Sequence, residues 1–292
     1  MIIKILKMLL VIFQMPRWKE YEEILKYALN NGYIVTSLID WYLHYKDNQN
    51  YKVLILRHDI DYSIKGTTKM LEIERKLGLN KLYNKLKEYE DHLKNKTIPK
   101  IIFGGVRSTF YFRWSTANKK LIKEIKEYGS EVGLHYETLA SYAIKNNIYK
   151  KSEFTEKDLV NCQEELKKEI KKFKDLFGEI YSAASHGHER NRMLGIPNNI
   201  LVEGVNLQEF GLVLEAYNKE INELFDIYIS DGSIFDGYWK YGISPCEAID
   251  KQIPTILLLT HPIHWNHNPL KQLLNLGHLL IAKIKNKMKK GG

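Results

Sequence analysis

The stretch VLILRHDID, residues 53–61, decides how this chain is read. Val53 to Leu56 is a short apolar run of the kind that forms a buried strand, and it passes directly into Arg57, His58, Asp59, Ile60 and Asp61. The polar residues therefore gather at the strand's carboxyl end. The same pattern recurs along the chain. Val132 to Leu134 runs into His135, Ile180 to Ala184 runs into Ser185, His186, Gly187 and His188, and Thr255 to Leu259 runs into Thr260, His261, Pro262, Ile263, His264 and Trp265. Thr109 to Phe112, Leu212 to Ala216 and Ile227 to Ile229 are further strand candidates. Between them lie charged, helix-periodic stretches such as Lys119 to Tyr128 and Glu156 to Phe177, with opposite charges at i,i+4 spacing on a solvent face. Such alternation predicts the α/β class, with parallel strands joined by helical crossovers and arranged as a barrel or an open sheet.

Composition narrows the class. A chain of 292 residues that is 44% hydrophobic can bury a substantial core. Cys162 and Cys246 lie far apart and outside any CxxC spacing, which argues against a disulfide framework or a thiolate zinc site and favours a reducing compartment. Lys4 and Lys7 precede a short apolar run, Met8 to Phe13, that lacks a small-residue cleavage site, so the N-terminus is read as retained. No stretch reaches the roughly 20 apolar residues needed to span a bilayer, and the expected location is cytoplasmic. The net charge of +9 comes with no nucleic-acid motif, which excludes that class of partner. Lys283, Lys285, Lys287, Lys289 and Lys290 follow Leu270, Leu273, Leu274, Ile281 and Ile284 at helical spacing, a basic amphipathic tail suited either to packing on the domain or to peripheral contact with anionic lipid. The lysine-rich stretch from Asn80 to Lys100 is read as a surface helix inserted within the domain.

Four strand ends thus deliver carboxylates and imidazoles to one face, where parallel sheets build their sites. Asp59 and Asp61 are two apart and point the same way along an extended strand. Two carboxylates held that close repel each other unless a cation lies beside them. His135 and His186 would complete an Asp/His/His set, a mixed O/N ligand type that suits zinc and also admits iron, cobalt or nickel. Three protein ligands leave a position for water, whose pKa such a metal can bring to about 7. His264 and His267 are read as peripheral. No GxSxG and no GxxxxGK[ST] occurs, which removes the serine-triad and P-loop alternatives.

These motifs resemble the polysaccharide deacetylases, carbohydrate esterase family 4 and its relatives. LRHDID at 56–61 looks like that family's first motif in its two-aspartate variant, EVGLHYET at 131–138 like the second, LLLTHP at 257–262 like the last, and STFYFRW at 108–114 like the core strand after the first. The likeness covers roughly residues 50–268 and makes 80–106 an insertion. The organisation that follows is an N-terminal helical segment over 1–50, a distorted (β/α) barrel of about seven parallel strands over 51–268, and a C-terminal basic helix over 269–292.

By resemblance, Asp59 is the general base, Asp61 and His135 are metal ligands, and His261 is the general acid. One position departs from the pattern: the family's second motif has another histidine four residues after the first, and here that position is Leu139. His186 is the expected replacement, with His188 and Glu137 as alternatives. Arg57, Asp231 and Trp265 are expected around the substrate; Arg57 is also a candidate to keep Asp59 ionised and Asp231 to orient His261. The resemblance implies hydrolysis of an N-acetyl group on a sugar of a surface polysaccharide, such as an O-antigen or capsule, or of its precursor. The alternatives are hydrolysis of another amide or ester, and an inactive glycan-binding relative.

Overall fold

Alternation along one strand positions the whole site. In the computed structural model, which describes residues 16–48, 50–78, 105–232 and 238–266, β2 (Val53–Ile60) is buried along its full length. Its odd residues Val53 and Ile55 face inward, packing with Trp41 and Leu257, while Leu54 and Leu56 face outward into a cluster with Tyr21, Leu25 and Leu258. Burial on both faces is the pattern of a parallel sheet covered by helices.

The strands are β1 (Ile34–Thr36), β2, β3 (Thr109–Phe112), β4 (Glu131–Tyr136), β5 (Ser182–Ser185), β6 (Leu214–Glu215), β7 (Ile227–Ser230) and β8 (Thr255–Thr260). Seven form the order β6-β5-β4-β3-β2-β8-β7, every pair parallel, while β1 pairs with β2 off that path. Strands well separated in this order still share an interior cluster: Ala184 of β5 and Leu214 of β6 pack with Val53 of β2 and Leu257 of β8. Only a curled sheet allows that, so the fold is the expected distorted α/β barrel, curled as a half-barrel with β6 and β7 at its two ends. Trp41 and Leu38 of helix α2 (Leu38–His44) join the same cluster.

The N-terminal segment differs from the expectation of helix alone. Helix α1 (Trp18–Asn30) does pack on the outer face through Tyr21, Ile24 and Leu25. Residues 34–36, however, are a strand in parallel register with Val53, Leu54 and Ile55. The β-branched Ile34, Val35 and Thr36 favour an extended backbone. Of the helices expected from charge periodicity, α4 (Lys119–Tyr128) and α6 (Glu156–Phe177) have the bounds read from the sequence. Asn118 caps the first and a Thr155/Asp158 capping box the second, and α6 buries Cys162, Leu166, Ile170 and Phe173 along one stripe. Among the described residues no helix is long and apolar enough to cross a membrane. The run Met8 to Phe13, most of the 80–106 insertion and the 269–292 tail lie outside the described residues.

Close packing inside the barrel puts a strict demand on β4. A Cβ on Gly133 would collide with the Tyr111 ring and lie 2.6 Å from the Ser182 carbonyl oxygen. Tyr111 is fully buried and its hydroxyl bonds Ser182 Oγ at 2.7 Å, so the ring has nowhere to go. Gly133→Ala is expected to cost about 1–3 kcal/mol, the usual range for overpacking, read as a lower denaturation midpoint with an unchanged slope.

Candidate metal centre

Parallel strands bring their carboxyl ends to one rim, and the site is assembled there from β2, β4 and β5. Asp61 follows β2, His135 lies within β4, and His186 follows β5. One ligand-type atom from each lies within 4.8 Å of the other two. Nε2 of His135 is 3.4 Å from Asp61 Oδ1, and Nε2 of His186 is 3.5 Å from the same oxygen.

The far side of each imidazole fixes what faces inward. His135 Nδ1 is 3.0 Å from the Ala184 carbonyl oxygen, which can only accept, so that nitrogen carries the proton and donates it. His186 Nδ1 likewise donates to Glu137 Oε2 at 3.1 Å. Each ring then turns its Nε2 towards Asp61. Asp61 Oδ1 is itself buried with no hydrogen-bond partner. Two imidazole Nε2 atoms and an unpartnered carboxylate oxygen converge there, a set that could hold a cation. Asp/His/His fits zinc or a neighbouring first-row metal and is too nitrogen-rich for magnesium or calcium. Burial pushes the Asp61 carboxyl up, but His135, His261 and His186 together hold it below the ordinary carboxylate range. Protons and metal therefore compete for the same atoms, and metal affinity falls as the pH is lowered.

Leu139, the position where the resemblance leads one to expect a ligand, is fully buried in the outer core on helix α5 (Thr138–Lys145). His186 stands in the cluster instead. The two alternatives are elsewhere: His188 caps the helix Glu189–Leu194, its Nδ1 accepting from the Arg190 amide at 3.0 Å, and Glu137 stands behind His186. Arg113 holds Glu137 through Nη2, 3.0 Å from both carboxylate oxygens. Burial opposes the charge on Glu137, yet His186 and Arg113 draw its carboxyl down to about 2. Glu137 and Arg113 thus orient His186, and nothing in their local sequence signals it. Glu137→Ala is expected to weaken zinc affinity by about 10–100-fold, measured by competition with a chromophoric chelator. Unchanged affinity would mean that His186 is not held by this pair.

Asp59 lies below the ligands and is almost completely buried. Arg57 Nε and Nη2 donate to its two oxygens at 2.9 and 2.8 Å, and His135 Nε2 is 3.4 Å from Oδ2. Desolvation works against the charge, but Arg57, His135 and His261 hold the carboxyl below its usual range, so Asp59 is ionised. Arg57, expected around the substrate, is 0% exposed, with its guanidinium over the Tyr217 and Tyr111 rings at 4.3 and 5.1 Å. Its place is behind Asp59 inside the barrel, where the period-two alternation of β2 puts it.

On the other side of β2 stands His261, after β8. Its Nδ1 is 2.6 Å from Asp231 Oδ1, and its backbone amide donates to Oδ2 at 2.8 Å. Trp265 Nε1 donates to Oδ2 as well, at 2.8 Å. Asp231 and Trp265 are both fully buried, so neither faces a sugar substrate as expected of them: Asp231 orients His261, and Trp265 packs edge-on to Tyr21 and braces Asp231. Burial lowers the His261 pKa, but Asp231 outweighs it and raises the imidazole above the ordinary histidine value. His264, read as peripheral, has Nδ1 3.3 Å from Asp231 Oδ1 without forming a hydrogen bond.

A cavity of about 580 Å³ opens beside His186, lined by Ser185, His188, Asn191, Asn198 and Tyr217 among others. No family model matches this chain, and no curated protein or solved structure matches it either.

Proposed function

We propose that the protein is a metal-dependent hydrolase of the polysaccharide deacetylase type, removing an acetyl group from the nitrogen of an acetylated sugar in a surface polysaccharide or its precursor. The observation that carries this reading is the convergence of three ligand-type atoms, Asp61 Oδ1, His135 Nε2 and His186 Nε2, beside an ionised Asp59. A divalent cation held there would acidify a water and polarise the scissile carbonyl.

The chain's own groups supply the proton transfers. Asp59, kept ionised by Arg57, accepts the proton of the attacking water. His261, kept protonated by Asp231, delivers a proton to the departing amine nitrogen. Strand order supports this division of labour, because His261 follows β8 on one side of β2 while His135 and His186 come from β4 and β5 on the other.

The test is acetate release from N-acetylated amino-sugar polymers by zinc-reconstituted protein, lost on chelation. His261→Ala is expected to lower turnover by about 10²–10⁴-fold, the usual contribution of a general acid. An acid must enter the step protonated, so activity falls as pH rises through the His261 pKa. Asp231→Asn removes the carboxylate that raises this pKa, and the alkaline limb of the kcat profile is expected to move to lower pH. Tight metal binding without acetate release from any acetylated sugar would shift the reading to another amide or ester.

A further inference from the structure

We infer that Asp231, His261 and His264 form a second, weaker site for a zinc-type cation, and that its occupation switches the enzyme off. The inhibitory part rests on the reading of His261 as the general acid. The site itself rests on geometry alone. One nitrogen from each histidine and one oxygen of Asp231 lie within 4.8 Å of one another, an Asp/His/His set of the same composition as the first centre.

The two imidazoles compete for one oxygen. His261 Nδ1 is 2.6 Å from Asp231 Oδ1 and His264 Nδ1 is 3.3 Å from it, with the rings 5.2 Å apart. Only the first makes a hydrogen bond; His264 Nδ1 is buried without a partner. Asp231 Oδ2 is already taken by the His261 amide and the Trp265 indole, which fix the carboxylate and leave Oδ1 aimed at both rings. A cation replacing the proton between Asp231 and His261 would satisfy all three atoms at once and would release that proton to solvent.

Binding here has a cost the first centre does not carry. The His261–Asp231 hydrogen bond must be broken and the rings moved apart, whereas Asp61 Oδ1 has no bond to lose. The second equivalent is therefore the weaker one. Once His261 is held through Nδ1, its Nε2 proton belongs to a neutral, cation-bound ring instead of an imidazolium. Such a ring is a far weaker acid and cannot protonate the leaving amine.

The experiment is a zinc titration of untagged full-length protein by equilibrium dialysis with elemental analysis, for wild type and His264→Gln. Wild type is expected to bind two equivalents at least about tenfold apart in affinity, and His264→Gln only the tighter one, which also reports that the variant is folded. Excess zinc should inhibit wild-type acetate release, while His264→Gln should keep its basal rate within about twofold and resist the inhibition. A single equivalent in wild type, or a second equivalent retained in His264→Gln, overturns the site. Two equivalents with no acetate release from any substrate would sink the inhibitory role and the deacetylase reading but leave the site standing; no zinc at all would overturn the site along with the metal-dependent reading.

Discussion

Asp61→Ala is expected to abolish stoichiometric zinc binding, and with it all turnover, while the metal-free protein unfolds at the same temperature as metal-free wild type or higher. Removing a direct ligand should cost more than the roughly 100-fold upper end seen for groups that merely orient one. The stability half of the expectation is unusual for a residue this enclosed, and it comes from what Asp61 lacks. Its Oδ1 is buried and unbonded, a state that costs about 1–3 kcal/mol in a fold where it has no compensation. It also shares a small volume with the carboxylate of Asp59, each lying 3.4 Å from the same His135 nitrogen. A metal-free fold has little to lose when that oxygen goes. Elemental analysis and thermal unfolding of both proteins at pH 8, where proton competition for the site is weak, would decide it. A variant that is markedly less stable and still holds metal would make Asp61 a structural residue.

How far this site was legible can be followed along β2. The run from Val53 to Asp61 implies a strand, and a strand implies that Arg57, Asp59 and Asp61 share a side, which they do. The polar residues after Val132–Leu134, Ile180–Ala184 and Thr255–Leu259 implied a common rim because parallel strands end together, and the parallel order of the sheet delivers that. What failed to read through was burial. The same alternation that joins Arg57 to Asp59 also turns it into the barrel interior, so a charged residue expected at the ligand is enclosed instead. Trp265 stands one helical turn after His261, and whether its ring faces outward or down onto Tyr21 depends on α1, some 240 residues earlier in the chain. The Arg113–Glu137–His186 chain joins three separate segments and leaves no local periodicity to read. β1 escaped because three residues between two helices are too few to show a period.

Asp59→Ala carries the second large effect, and there chemistry and stability fail together. Asp59 and Arg57 are a buried pair, 1% and 0% exposed, joined by two hydrogen bonds. Deleting the carboxylate leaves the guanidinium without its counter-charge in a space already missing a partner for Nη1. Breaking a buried pair in this way costs about 3–5 kcal/mol, because the surviving charge stays desolvated. On the proposed reading of Asp59 as the base, its loss is also expected to lower turnover by about 10²–10⁴-fold. The two consequences can be separated. Asp59→Asn keeps one oxygen for Arg57 and should recover much of the stability without recovering the rate, since an amide cannot take a proton at neutral pH. The double variant Arg57→Met/Asp59→Leu should also refold the stability, as apolar replacements of buried pairs often do, and remain inactive. If instead Asp59→Asn turned over at the wild-type rate, the carboxylate would be there to satisfy Arg57, and the base would have to be sought among the groups nearer the rim.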